Sequence, residues 1–201
     1  MGDQNKPSIR VAFDTSVLGY AQYGAGGRTG IFRMADNFAR GLARQADCDL
    51  FFCASENFRM WVNARRYLRR DAELSAVPLL SFRNAARIYG WVGWWFWRLA
   101  AKRDIALPLR ALRRLLGDFL RQVEQRYQPL EANDIVGKDI FHSQYFPLPE
   151  ASRGIPGLRR FLSVCDLINI QQPAFTNDGG AYLKSVLASL TPDDWVIAIS
   201  E

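Results

Sequence analysis

Short apolar runs that close on a polar residue punctuate the first half of the chain. Ile9 to Phe13 stops at Asp14, and a second run occupies residues 49–53. Runs this short, rich in β-branched and aromatic residues, predict buried strands. Between them, Ile31, Met34, Ala35, Phe38 and Leu42 recur at helical spacing, which predicts an amphipathic helix over residues 31–42. Phe58, Trp61, Val62 and Leu68, set among arginines, predict another helix over 56–70. Residues 77–80 read as a third strand, and 139–142 as a further one.

The C-terminal stretch repeats the theme. Phe161-Leu162-Ser163-Val164-Cys165-Asp166-Leu167 reads as a buried strand ending in an acid. Gln172-Pro173, a short helix and a strand over 195–199 follow, closing on Ser200-Glu201. Residues 83–128 break the alternation and predict one or two long basic helices divided near Pro108. Strands alternating with helices predict an α/β fold. The expected form is a Rossmann-like, mostly parallel sheet with helices on both faces and a basic aromatic helical insertion at about 83–128. Ligands of such sheets sit at the carboxyl ends of the strands. Asp14, the loop after it, His142, Cys165-Asp166 and Ser200-Glu201 are therefore expected on one rim.

Composition adds a charge map. The 201 residues suffice for one substantial core. The net charge is +6, yet ten Arg or Lys against three acids between Arg83 and Arg126 already give +7. All the excess sits in the helical stretch, which points to an anionic partner. Trp91, Trp94, Trp95, Trp97 and Arg98 crowd inside it. Trp favours the membrane–water boundary and Arg pairs with anionic headgroups, so these five are candidate contacts to an anionic membrane surface. The competing reading is a helical pair that packs its Trp and Leu residues on the domain and solvates its Arg face. Nucleic acid is disfavoured, because the Trp residues are bunched rather than interleaved along a groove. No apolar run approaches the ~20 residues of a spanning helix, and the N-terminus lacks a secretory pattern. Cys48, Cys53 and Cys165 are odd in number with no Cys-x-x-Cys pair, which argues against a disulfide framework and a zinc site and for reduced thiols in a cytosolic protein.

Candidate chemistry is sparse. Gly24-Ala25-Gly26-Gly27-Arg28-Thr29-Gly30 suits a loop that brings backbone N–H groups, Arg28 and a helix start to a phosphate. A plain flexible connection explains it equally well. It fits neither Gly-x-Gly-x-x-Gly nor a Walker loop, which argues against a dinucleotide fold and a P-loop ATPase. His142, the lone histidine, is either a hydrogen-bonded structural residue or a rim catalyst. Asp166 is either a turn acceptor or part of a site.

Three segments in this order resemble the N-terminal domain of glycosyltransferase family 4. They are Arg28-Thr29-Gly30-Ile31-Phe32-Arg33 after the first strand, Phe141-His142-Ser143 with Pro147-Leu148-Pro149, and the strand–Cys165-Asp166–Pro173–helix–strand–Ser200-Glu201 unit. The family usually has His where Cys165 stands. A subfamily variant, a weakened enzyme, or a position where the backbone matters more would each account for that. The resemblance implies a GT-B architecture and transfer of a sugar from a nucleotide-diphospho-sugar co-substrate to an acceptor hydroxyl, with retention and without metal or other cofactor. The acceptor would be a glycan or lipid-linked molecule of bacterial polysaccharide or glycolipid assembly. It implies catalytic roles for Asp166, Cys165 and His142, and substrate contacts from Gly27, Arg28, Thr29, Gly30, Ser200 and Glu201. The implied location is cytoplasmic, with the inner face of the plasma membrane as the surface for peripheral attachment. A C-terminal donor-binding domain, absent from residues 1–201, is also implied, so that this stretch alone transfers little sugar. A non-catalytic membrane- or polyanion-binding module that keeps the fold is the alternative.

Overall fold

The computed structural model describes residues 8–23, 30–81, 83–102, 106–165, 167–172, 174, 178 and 180–198. Five strands form one sheet: β1 (Ile9–Asp14), β2 (Cys48–Cys53), β3 (Ile140–Ser143), β4 (Arg159–Val164) and β5 (Trp195–Ala198). Their order is β2-β1-β3-β4-β5, and every pair is parallel. The fold is therefore the Rossmann-like α/β arrangement that the alternation predicts.

Parallel strands buried on both faces need apolar residues at every position, and β1 shows the division of labour. Val11 and Phe13 point to one face with Leu50 and Phe52; Ala12 points to the other with Cys53, Phe141 and Leu162. Helix α2 (Gly30–Ala43) covers the first face through Phe32, Ala35 and Ala39, and α3 (Phe58–Arg69) through Met60 and Leu68. The second face is covered by Leu130, by Ile135 of the short α6 (Ala132–Ile135), by Leu148, and by Val186 of α8 (Ala181–Ala188). Arg40 of α2 reaches Asp36, Asp71 and Glu73 at 3.0, 2.6 and 3.3 Å, fastening that helix to the turn after α3.

The outer face of α3 carries a helical hairpin rather than the sheet. Helix α4 (Arg83–Ala100) and α5 (Leu107–Arg126) flank the predicted division, with Pro108 in the first turn of α5, where its missing N–H costs nothing. Ala85, Ala86, Tyr89 and Val92 of α4, with Leu120 and Val123 of α5, pack on Phe58, Trp61 and Val62.

Several expectations change in detail. The third strand predicted over 77–80 is a single parallel bridge, Phe52 to Leu79. Pro78 has no N–H to give, so it contributes only its carbonyl, to the Phe52 N–H at 2.8 Å, while the Leu80 N–H returns to the Phe52 carbonyl at 2.7 Å. The strand predicted over 161–167 starts two residues earlier and ends at Val164, because Cys165 already leaves the ladder. The helix expected after Pro173 is α8, and a single turn, α7 (Ile168–Gln171), precedes Gln172. A five-residue helix that no periodicity announced, α1 (Ser16–Tyr20), lies against α3. Gly19 permits that approach: a Cβ there would fall on the Met60 carbonyl, far inside van der Waals distance.

Candidate functional site

The strand order reverses between β1 and β3, so the crevice outside their carboxyl ends is where this architecture places a ligand. Asp14 ends β1 and is 1% exposed. Its Oδ1 accepts from the Ser16 N–H at 2.9 Å and the Ser16 hydroxyl at 2.6 Å, and its Oδ2 from the Ser55 hydroxyl at 2.7 Å. Burial raises its pKa, and these donations, with a fourth from the Ser55 N–H to Oδ1 at 3.3 Å, oppose the rise. The carboxylate thus clamps the loop after β1 to the loop after β2. Thr15 adds a hydroxyl donation to the Cys53 carbonyl at 2.6 Å.

Glu56 follows the clamp, its N–H donating to the Ser16 hydroxyl at 3.3 Å. Its side chain stands at the surface, yet the groups around it and then the Asp14 charge push its pKa up. An aromatic wall faces this acid pair. Tyr23 meets Tyr20 at 5.5 Å between ring centres, Tyr20 meets Phe146 at 6.5 Å, and Tyr182 of α8 meets Tyr145 at 5.3 Å and Phe146 at 6.4 Å. Surrounding bulk, then the Glu56 charge, drives the Tyr182 pKa well up; burial lifts that of Tyr23 to about 12. The Tyr182 hydroxyl and the Gln144 side-chain carbonyl are buried without a hydrogen-bond partner among the described residues. Arg59 lies 4.1 Å over the Tyr23 ring of this wall.

His142 lies one layer beneath, 6% exposed. Its ring meets Phe13, Phe38 and Phe161 edge-on at 5.5, 5.8 and 6.3 Å. Nε2 is 2.8 Å from the Ser163 hydroxyl and 3.1 Å from the Gln144 amide nitrogen. With that amide donating, Nε2 is the acceptor and the ring proton is assigned to Nδ1. Burial lowers the pKa to about 4, so the ring is neutral at pH 7. Cys165 is half-buried at the end of β4, its Sγ 3.6 Å from the Met34 sulfur of α2. It shares the lining of a small cavity with Ser163 and Tyr145.

Of the other sequence candidates, Gly30 opens α2 and is exposed. Gly27, Arg28, Thr29, Asp166, Ser200 and Glu201 lie outside the described residues. Trp91 is 68% exposed, Trp94 and Trp95 are also exposed, and Arg98 sits 5.0 Å over the Trp94 ring. Trp97 turns inward instead, against Tyr89 at 6.3 Å and under Arg66 at 5.5 Å. Ser55, Glu56, Gln144 and Tyr182 were missed by sequence reasoning. Ser55 and Glu56 lie two and three residues past the end of β2 and Gln144 directly follows β3, so the strand-end rule itself was the available signal. Tyr182 had none, being one aromatic on a short helix.

No trio of His, Cys, Asp or Glu among the described residues is arranged to hold a metal ion, and no described helix is long and apolar enough to cross a membrane. No family model, curated protein or solved structure matches the chain.

Proposed function

We propose that the β1/β3 crevice binds the acceptor of a glycosyl transfer from a nucleotide-diphospho-sugar, as the resemblance to glycosyltransferase family 4 implies. The observation that carries this reading is the exposed Glu56 carboxylate, set beside the buried Asp14 clamp and facing the tyrosine wall. Carboxylates accept hydrogen bonds from sugar hydroxyls, and ring faces cover the apolar patches of a pyranose. The buried, unpartnered Gln144 carbonyl and Tyr182 hydroxyl favour a polar ligand, since each is costly to leave unsatisfied. Glu56, with its raised pKa, is suited to accept the proton of the acceptor hydroxyl. His142, enclosed and neutral, acts as a positioning residue that holds Ser163 and Gln144. Cys165 has the geometry of a lining residue beside Tyr145. An anionic donor is held more favourably on the Arg59 side than against the acids, and Arg28 and Asp166 keep the roles that the resemblance implies. The experiment is transfer of labelled sugar from a panel of nucleotide-diphospho-sugars into glycan and lipid-linked acceptors, by the chain as its native reading frame encodes it. Product that falls at least about tenfold in Glu56→Gln supports the reading, a loss expected for a general base; no product with any donor ends it.

A second reading concerns attachment. Ile88, Trp91 and Trp95 share one outward stripe of α4, and Leu112, Leu115 and Phe119 one outward stripe of α5; all are exposed. Arg98 of α4 and Arg126 of α5 lie beside them, whereas Arg113, Arg114 and Arg121 line a separate groove with Trp97. Exposed apolar stripes flanked by arginine fit the face of an anionic membrane, where a lipid-linked acceptor resides. Flotation with anionic and neutral liposomes tests it. Binding to anionic vesicles alone supports it, and failure with both removes it.

A further inference from the structure

A separate cavity of about 380 Å³ opens on the outer side of the 77–80 segment, between α3 and the start of α4. That volume is within the range of small-molecule sites. Its floor is apolar, formed by Trp61, Leu68, Leu74 and Leu79. Its walls are cationic: Arg65 and Arg69 stand one turn apart on α3, and Arg87 faces them from α4. No acidic residue lines it. Elsewhere the fold does pair its arginines, as Arg40 and Arg44 with Asp71 and Glu73 show. Arg65, Arg69 and Arg87 have no ion pair among the described residues; Arg65 rests only on the Trp61 ring, at 5.4 Å. Burial and then the charges of Arg69 and Arg87 lower the Arg65 pKa, which is the mark of an uncompensated cluster. Ser81 lines the same cavity, is 8% exposed, and its hydroxyl has no hydrogen-bond partner among the described residues.

We infer that this cavity is a binding site for a small phosphomonoester with an apolar or aromatic body. Three guanidinium groups on two helices match the three terminal oxygens of a phosphate better than the two of a carboxylate. The Ser81 hydroxyl supplies a neutral donor, and the Trp61 floor accepts the apolar part. The site lies at the lateral edge of the sheet rather than at the β1/β3 crevice, so it does not rest on the transferase reading.

Phenyl phosphate is the probe, with phenol, inorganic phosphate and chloride of matched ionic strength as comparisons. Calorimetric titration and thermal unfolding are read on the wild type and on Arg69→Gln/Arg87→Gln, whose side chains are exposed and unpaired. The expected result is saturable binding of phenyl phosphate, weaker binding of inorganic phosphate, none of phenol, and a Tm that rises with ligand. The double variant should unfold at a higher temperature than wild type without ligand, because two repelling charges are gone. It should also bind phenyl phosphate at least about tenfold more weakly, less than the loss of two charge-assisted hydrogen bonds would allow. Equal affinity in the variant, or an equal Tm rise with chloride, overturns the inference.

Discussion

The sheet with its rim and the α4–α5 hairpin solve opposite problems. In the central strands, apolar side chains are enclosed and most polar ones are matched: Asp14 by Ser16 and Ser55, His142 by Ser163 and Gln144. The hairpin buries one stripe on α3 and leaves Trp91, Trp94, Trp95 and Leu115 in the open among arginines. A region that satisfies itself specifies one structure; a region left with exposed apolar surface and surplus charge specifies a contact with something else. The two regions should therefore respond differently to the same kind of change.

Glycine substitution should separate them most sharply. Gly19→Ala forces a methyl group onto the Met60 backbone, which cannot give way as a side-chain tip can. We expect a loss of about 3 kcal/mol or more in urea unfolding, at the upper end for overpacking. Unchanged stability would mean that α1 does not sit on α3 as described. Acid is the next lever. The folded pKa of His142 is about 4 against an ordinary 6.5. The unfolded chain thus takes up the proton first, and stability contributed above pH 6.5 is lost as pH falls toward 4. The full effect is about 3 kcal/mol. His142→Phe should flatten that part of the profile, although the raised Asp14 carboxyl keeps an opposing slope of its own. A profile as steep in the variant as in the wild type would show that His142 is not the group responsible.

The sequence made the scaffold legible where periodicity is long. The strands at 9–14, 48–53 and 140–143 and helices α2 and α3 follow from alternation and helical spacing, to within a few residues. Short elements escaped. Helix α1 has five residues and no period; it exists because Asp14 caps the turn from below and Gly19 lets α3 approach. At 77–80 an apolar run suggested a strand, but Pro78 limits it to one bridge. The rim was only half visible: strand ends pointed to Asp14 and His142, but His142 proved enclosed, and Glu56 read as the first residue of the helix predicted over 56–70. In the hairpin, the charge was legible and the orientation was not. Trp91-Val92-Gly93-Trp94-Trp95-Phe96-Trp97 is apolar all round, so only the packing of Val92 and Trp97 reveals which way it faces.

Within the hairpin, exchanging surface for polarity should cost little. Trp91→Ser/Trp94→Ser/Trp95→Ser is expected to change stability by about 1 kcal/mol or less while reducing retention on anionic liposomes severalfold. Large destabilisation without altered retention would assign these side chains to packing instead. Gly90→Ala gives the smallest effect and the counterpart to Gly19. Its new methyl would meet the Val62 Cγ2 at an ordinary 3.6 Å, so helix propensity should dominate and stabilise by about 0.5–1 kcal/mol.

Sugar transfer by three proteins, the wild type, Glu56→Gln and the triple Trp variant, each with a water-soluble acceptor and with an acceptor held in anionic vesicles, tests the division between chemistry at the rim and attachment at the hairpin most directly. The account predicts that Glu56→Gln loses turnover with both acceptors and that the Trp variant loses it only with vesicles. Loss of soluble-acceptor turnover in the Trp variant, with Glu56→Gln unaffected, would contradict it.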